Sequence, residues 1–178
     1  MIPFMSNDEI LLLTTLLEKS KIYFEFGSGG STYLALSCAN ILRIYSVDTD
    51  KKWLDKFEHP KLDKIYIDVG SVGSFGDPLD QTKIENWKLY SESITKISSI
   101  PDTVLIDGRF RVACGIKTWE KINDSTNVLI HDFHRKEYQV LLELYNIIEK
   151  SNTLVVLRKK NSDIDIDKMY NKYKNVKS

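Results

Sequence analysis

The segment Phe24-Glu25-Phe26-Gly27-Ser28-Gly29-Gly30-Ser31-Thr32, followed by Val47-Asp48, constrains this chain more than any other part of it. The apolar run Ile22-Tyr23-Phe24 leads into a glycine-rich turn, and a helix-patterned stretch opens at Ser31. A second apolar run, Leu42–Val47, ends against Asp48. Strand, glycine turn, helix, strand and carboxylate, in that order, build the nucleoside pocket of an open α/β sheet. Glycine lets the backbone approach a ligand, and the carboxylate accepts hydrogen bonds from ribose hydroxyls.

The rest of the chain continues the alternation. Ser6-Asn7-Asp8-Glu9 is a capping box opening a helix over Asn7–Lys19. Apolar runs predict strands at Lys21–Phe26, Leu42–Val47, Lys64–Val69, Thr103–Ile106 and Asn127–Ile130. Helices are expected at Ser31–Ala39, Lys51–Phe57, Thr82–Ser98, Arg111–Ile122 and Lys136–Leu142. Gly70–Pro78, with Gly70, Gly73, Gly76 and Pro78, is a long loop that could fold over a bound acceptor as a lid. Leu144–Glu149 and Thr153–Lys159 form a β-hairpin across Ser151-Asn152, and Asp163–Tyr173 is a surface helix or frayed tail. The expectation is one α/β domain over 1–160, with an N-terminal helix in 1–20 and a tail over 161–178. Its sheet is mostly parallel and seven-stranded, with helices on both faces and a C-terminal antiparallel hairpin.

Charge narrows the function. Lys+Arg and Asp+Glu each number 25, so no global field draws the chain to nucleic acid or an anionic membrane. No apolar run approaches the roughly 20 residues of a membrane span. Met1-Ile2-Pro3-Phe4-Met5 lacks the pattern of a signal peptide. Cys38 and Cys114 fall in expected helices without CxxC spacing and read as reduced, buried thiols, which fits a cytoplasm-like compartment.

Polar residues gather where the strands end: Glu25 and Gly27, Asp48, Asp68, Asp107 and Arg109, His131 and Asp132. Ligands of open α/β sheets bind there. The dinucleotide fingerprint G-x-G-x-x-G would need a third glycine at Thr32, and the P-loop lysine is missing, which weighs against NAD and nucleoside triphosphates. An acidic residue followed by a G-x-G turn, with Asp48 at the second strand tip, resembles motif I of class I S-adenosylmethionine-dependent methyltransferases. The resemblance covers about residues 20 to 160. Val104–Arg111 (with Asp107-Gly108-Arg109), Val128–Asp132 (with His131-Asp132) and the loop Asp68–Pro78 are similar to stretches of small sugar- or metabolite-type O-methyltransferases. That group includes glycan-methylating domains of large DNA viruses, for which the compartment would be the host cytoplasm.

The resemblance implies a Rossmann-like methyltransferase domain that transfers a methyl group to a hydroxyl of a sugar, a glycan or another small acceptor. Gly27, Ser28, Gly29 and Gly30 would line the methionine and ribose end of S-adenosylmethionine, with Ser31 and Thr32 in the first helical turn. Asp48 would hold the ribose hydroxyls, Asp68 and Val69 would flank the adenine, and Asp107 would border the methyl position. Glu25 would act indirectly, by ordering the loop or the ligand's amino group. The Asn-Pro-Pro-Tyr type motif of amino-methylating nucleic-acid enzymes is absent. Two other readings stay open: a methyltransferase fold that binds without turnover, and an NAD(P)-dependent oxidoreductase.

A neutral sugar hydroxyl is a poor nucleophile, so a base is expected near the methyl. Asp107 ranks first, then His131 and Asp132. Arg109 is expected to face the pocket and Arg111 to be solvated. His134 and Arg135 reach the acceptor or belong to a solvated loop, while Trp87 and Tyr90 stack on a sugar ring or fill the core. Catechol-type members of the wider family hold a divalent cation at similar strand tips. Asp107 and Asp132 would be the ligands if Mg2+ or Mn2+ takes part, although Arg109 would compete with it.

Overall fold

A computed structural model describes residues 1–177. Seven strands form one sheet: β1 (Ile22–Phe26), β2 (Arg43–Asp48), β3 (Leu62–Tyr66), β4 (Thr103–Ile106), β5 (Asn127–Ile130), β6 (Tyr145–Ser151) and β7 (Leu154–Lys159). Their order is β3-β2-β1-β4-β5-β7-β6, with β7 antiparallel to β5 and to β6 and the rest parallel. The chain runs outward from β1 to β3, then returns to lay β4 on the other side of β1. That reversal leaves a crevice between the β1 and β4 tips, where open α/β sheets take ligands.

Strand residues alternate between two apolar layers. Tyr23, Ile44, Leu105, Leu129 and Val156 meet Leu12, Leu13 and Leu17 of α1 (Asn7–Leu17) and Ala35 of α2 (Gly30–Ser37). Phe24, Val104, Ile106, Val128 and Leu157 pack on the other face. Their partners come from α4 (Ile84–Lys96), α5 (Arg111–Lys121) and α6 (Ile166–Tyr173). A short α3 (Lys51–Leu54) follows β2. The strands read as continuous apolar runs because both faces are covered. Each Leu or Phe buried in this way contributes about 1.5–3 kcal/mol relative to exposure.

Several boundaries differ from expectation. Strand β3 ends at Tyr66 rather than Val69, because it is an edge strand and its ladder with β2 stops opposite Asp48. Asp68 and Val69 therefore lie beyond the sheet. The short helix expected at Lys136–Leu142 is present as a 3-10 helix over Lys136–Glu143. Cys38 sits past the end of α2 with extended backbone, while Cys114 is in α5; both are free thiols. The tail is a docked helix, since Met169 and Tyr170 of α6 are buried and the Tyr170 hydroxyl lies 2.9 Å from Ser91 Oγ. Trp87 and Tyr90 are core residues at 2 % and 1 % exposure, so neither offers a face to a ligand. No helix among the described residues is long and apolar enough to cross a membrane.

Candidate functional site

The glycine turn leaves β1 at the crevice. Gly27 has φ of 96°, a conformation that L side chains rarely adopt, and a Cβ there would come within 2.8 Å of Gly108 Cα. A Cβ on Gly108 would in turn collide with the Tyr90 hydroxyl. The β1 and β4 tips thus meet backbone to backbone. Gly29 lines the cavity, and a Cβ there would meet no atom of the described residues within 4 Å beyond its own chain neighbours.

Behind the turn, Glu25 is fully buried and does not line the cavity. It accepts hydrogen bonds from Tyr23 Oη (3.0 Å), Ser31 Oγ (2.7 Å), Ser46 Oγ (2.6 Å) and Thr32 Oγ1. Thr32 Oγ1 also accepts from the Gly29 amide at 2.9 Å. Glu25 therefore knots β1, β2 and the first turn of α2 together, and the turn inherits its shape from that knot. Burial pushes its pKa up, the hydroxyl donors pull it back, and it settles at about 7.

Asp48 reaches the cavity from the β2 tip. Its Oδ2 accepts from the Ser28 amide at 2.8 Å and its Oδ1 from the Asp50 amide at 2.9 Å. Burial raises its pKa above the ordinary value, against the pull of those amides. Trp53 Nε1 donates to Ser28 O at 2.8 Å and fixes the outer side of the same turn. Asp68 and Val69 stand outside the cavity lining: Asp68 pairs with Lys83 and is half-buried, and Val69 is buried in the core.

A single cavity of about 950 Å³ joins this half to the β4 and β5 tips. His131 Nδ1 lies 3.0 Å from Asp107 Oδ1 and 4.0 Å from Asp132 Oδ1. Its Nε2 faces Glu9 Oε2 at 3.7 Å. Burial alone would lower the His131 pKa, but the hydrogen bond and charge of Asp107, with the charges of Asp132 and Glu9, outweigh it and raise it. Asp132 has φ of 60°, a left-handed conformation that Asp tolerates, and pairs with Arg135 at 2.9 Å. His134 is exposed and does not line the cavity, whereas Arg135 does.

Both arginines of the Asp107–Arg111 stretch reach the site. Arg109 lines the cavity as expected and donates from Nε to Phe75 O at 3.0 Å, which pins the loop after β3. Arg111 corrects the expectation of a solvated side chain. It is 6 % exposed and sits between Asp107 (3.2 Å) and Asp132 (3.4 Å). The helical rule that separates residues two apart does not apply here, because Arg109 precedes α5 and Phe110, at φ of 54°, turns the chain between them.

Glu9 was legible only as a helix cap. Its Oε2 accepts from the Ser6 amide at 2.8 Å, as a capping box requires. Its Oε1 also accepts from Thr153 N (2.9 Å), Thr153 Oγ1 (2.8 Å) and Leu154 N (3.0 Å) in the hairpin turn. Burial pushes the Glu9 carboxyl up, but these donors outweigh it and bring the pKa down to about 2. The segment before it was missed too. Residues Met1–Ser6 line the cavity, and Ile2 and Pro3 press on Gly30 so closely that a Cβ there would collide with their backbone. Nothing in local spacing signals such long-range contacts.

No protein-family model and no curated protein matches the sequence. Solved structures do match. A methyltransferase-like protein from Silicibacter pomeroyi is 23 % identical with a TM-score of 0.86, covering 97 % of this chain and 96 % of that one. The MycE methyltransferase of the mycinamycin pathway, solved with Mg, S-adenosylhomocysteine and mycinamycin VI, is 12 % identical with a TM-score of 0.53, covering 88 % of this chain and 50 % of that one. A spermidine synthase in complex with a transition-state analogue is 11 % identical with a TM-score of 0.53, covering 92 % of this chain and 60 % of that one. Sheet order, closing hairpin and these likenesses together give the chain the fold of the class I S-adenosylmethionine-dependent methyltransferases.

Proposed function

We propose that this protein is an S-adenosylmethionine-dependent O-methyltransferase acting on a hydroxyl of a sugar, a glycan or another small acceptor. The observation that carries the reading is the His131–Asp107 pair, 3.0 Å apart, in the same cavity as the glycine turn and Asp48. The open backbone at Gly29 and the buried carboxylate of Asp48 suit a nucleoside with free ribose hydroxyls. Gly27, Ser28, Gly29, Gly30 and Ser31 border the same space, and Thr32 acts through Glu25.

S-adenosylmethionine, which the glycine turn and Asp48 would hold, would supply a methyl group on a sulfonium, whose C–S electrons would stay on sulfur as the acceptor oxygen takes the methyl. The chain's own task is to align the acceptor and remove its proton. Asp107 occupies His131 Nδ1 and so fixes the tautomer that leaves Nε2 bare to take that proton. The imidazolium that forms is stabilised by Asp107, Asp132 and Glu9. His131 thus becomes the base, and Asp107 its orienting partner. A divalent cation does not fit the Asp107–Asp132 pair, because the Arg111 guanidinium already lies between the two carboxylates.

The test is transfer of isotopically labelled methyl from S-adenosylmethionine into a pool of sugars and small hydroxylated compounds, read by mass. Label is expected in a hydroxyl-bearing product. Binding of NAD without binding of S-adenosylhomocysteine, measured by calorimetry, would overturn the reading.

A further inference from the structure

Two carboxylates at adjacent strand tips are a natural donor pair for a hard divalent cation. Here a side chain stands between them. Arg111 Nη2 lies 3.2 Å from Asp107 Oδ1, and Nη1 lies 3.4 Å from Asp132 Oδ2. We propose that Arg111 is a resident cation in the place of a divalent metal, so that it sets the carboxylate pair and methyl transfer proceeds without metal. The inference deepens the reading above and rests on it.

The guanidinium is held from every side. Nε donates to Gly108 O at 3.0 Å, Nη1 to His131 O at 2.7 Å and Nη2 to Asp107 O at 3.2 Å. The Tyr138 ring centroid lies 5.7 Å from its central carbon, and the side chain is 7 % exposed. An incoming ion would have to break these bonds and expel the group from a buried site. On its far side Asp132 is matched by Arg135 at 2.9 Å, so both carboxylates already have full cationic partners.

Geometry separates the two kinds of cation. Mg2+ demands oxygen ligands at about 2.0–2.1 Å in an octahedron. Arg111 instead presents planar N–H donors, which hold the carboxylates farther apart and supply no ligand. A resident arginine cannot bind an acceptor hydroxyl and acidify it as a Lewis acid would. The acceptor's proton therefore leaves to His131 Nε2 as the O–C bond forms. Arg111 acts through Asp107 and Asp132 and is a positioning residue.

The test is a titration of EDTA-dialysed protein with Mn2+ alone, read by electron paramagnetic resonance, beside calorimetry of S-adenosylhomocysteine with and without Mg2+. Wild type is expected to show no saturable Mn2+ site in the millimolar range and the same nucleoside affinity either way. Arg111→Gln removes the charge, adds an amide oxygen and is expected to gain a Mn2+ site that Asp132→Asn abolishes. Saturable Mn2+ binding to wild type that Asp132→Asn abolishes overturns the proposal, as does a folded Arg111→Gln that still refuses Mn2+. If Arg111→Gln does not fold, the wild-type measurements decide: no Mn2+ site with unchanged affinity supports it, and a Mg2+-dependent gain overturns it. Failure of the methyltransferase reading looks different, as S-adenosylhomocysteine that does not bind under any condition.

Discussion

The two halves of the cavity hold their carboxylates by different means. On the β1–β2 side, Glu25 and Asp48 are held by hydroxyls and backbone amides, with no cation among their hydrogen-bond partners in the described residues. On the β4–β5 side, Asp107 and Asp132 are held by Arg111, Arg135 and His131. Neutral dipoles fix a carboxylate without cancelling its charge, so it remains a good acceptor for uncharged hydroxyls. Full charges balance one another and leave a group whose proton can move. In the proposed reaction the first half holds the nucleoside and the second handles the acceptor's proton.

The sharpest way to break this contrast is His131→Ala. Turnover is expected to fall by about 10²–10⁴, the usual share of general base catalysis, while S-adenosylhomocysteine affinity stays as in wild type. The rising limb of the rate against pH, set by a pKa raised above about 6.5, should vanish with it. An equal loss of both quantities would dissolve the division of labour.

Glu25→Gln comes next and is read in stability. The folded pKa of about 7 stands above the ordinary 4.5, so the folded state holds the Glu25 proton over a range where the unfolded chain releases it. Wild-type stability should therefore decline from about pH 4.5 to about pH 7, by an amount on the order of 3 kcal/mol at most. Glu25→Gln should remove that decline in urea melts. The raised His131 pKa acts in the same direction at higher pH in both proteins, so the difference between them isolates Glu25.

Asp48→Asn has the smallest expected effect and sharpens the comparison. It keeps the shape and one acceptor oxygen, and should weaken S-adenosylhomocysteine by about tenfold, close to 1.4 kcal/mol, with turnover at saturation preserved. A large fall in turnover would place Asp48 in the proton-handling half.

The first half was almost wholly legible in the sequence, because its parts are consecutive: β1, the turn, α2 and the β2 tip fall within residues 22–48. The parallel sheet and its hairpin were legible too, since apolar runs on strands covered from both faces leave a strong signal. Asp68 and Val69 were misplaced because an edge strand ends where its single partner does, and spacing does not record that. The second half draws on α1, β4, α5, β5 and the hairpin turn. Glu9 satisfied a local capping rule completely, which hid its bonds to Thr153 and its approach to His131. Arg111 was assigned to solvent by a helical rule that fails across the left-handed turn at Phe110.

The backbone contact between Gly27 and Gly108 joins these halves, and it bears on how such a protein can change. A larger residue at either position needs the opposite strand tip to retreat, and at Gly108 it also needs Tyr90 to move. Ordinary compensation, in which one side chain shrinks as its neighbour grows, is closed because neither glycine has a side chain to give up. A substitution at either position therefore has to be absorbed by backbone movement at the other. The two halves of the cavity can diversify around that seam, each through its own loops, but not across it.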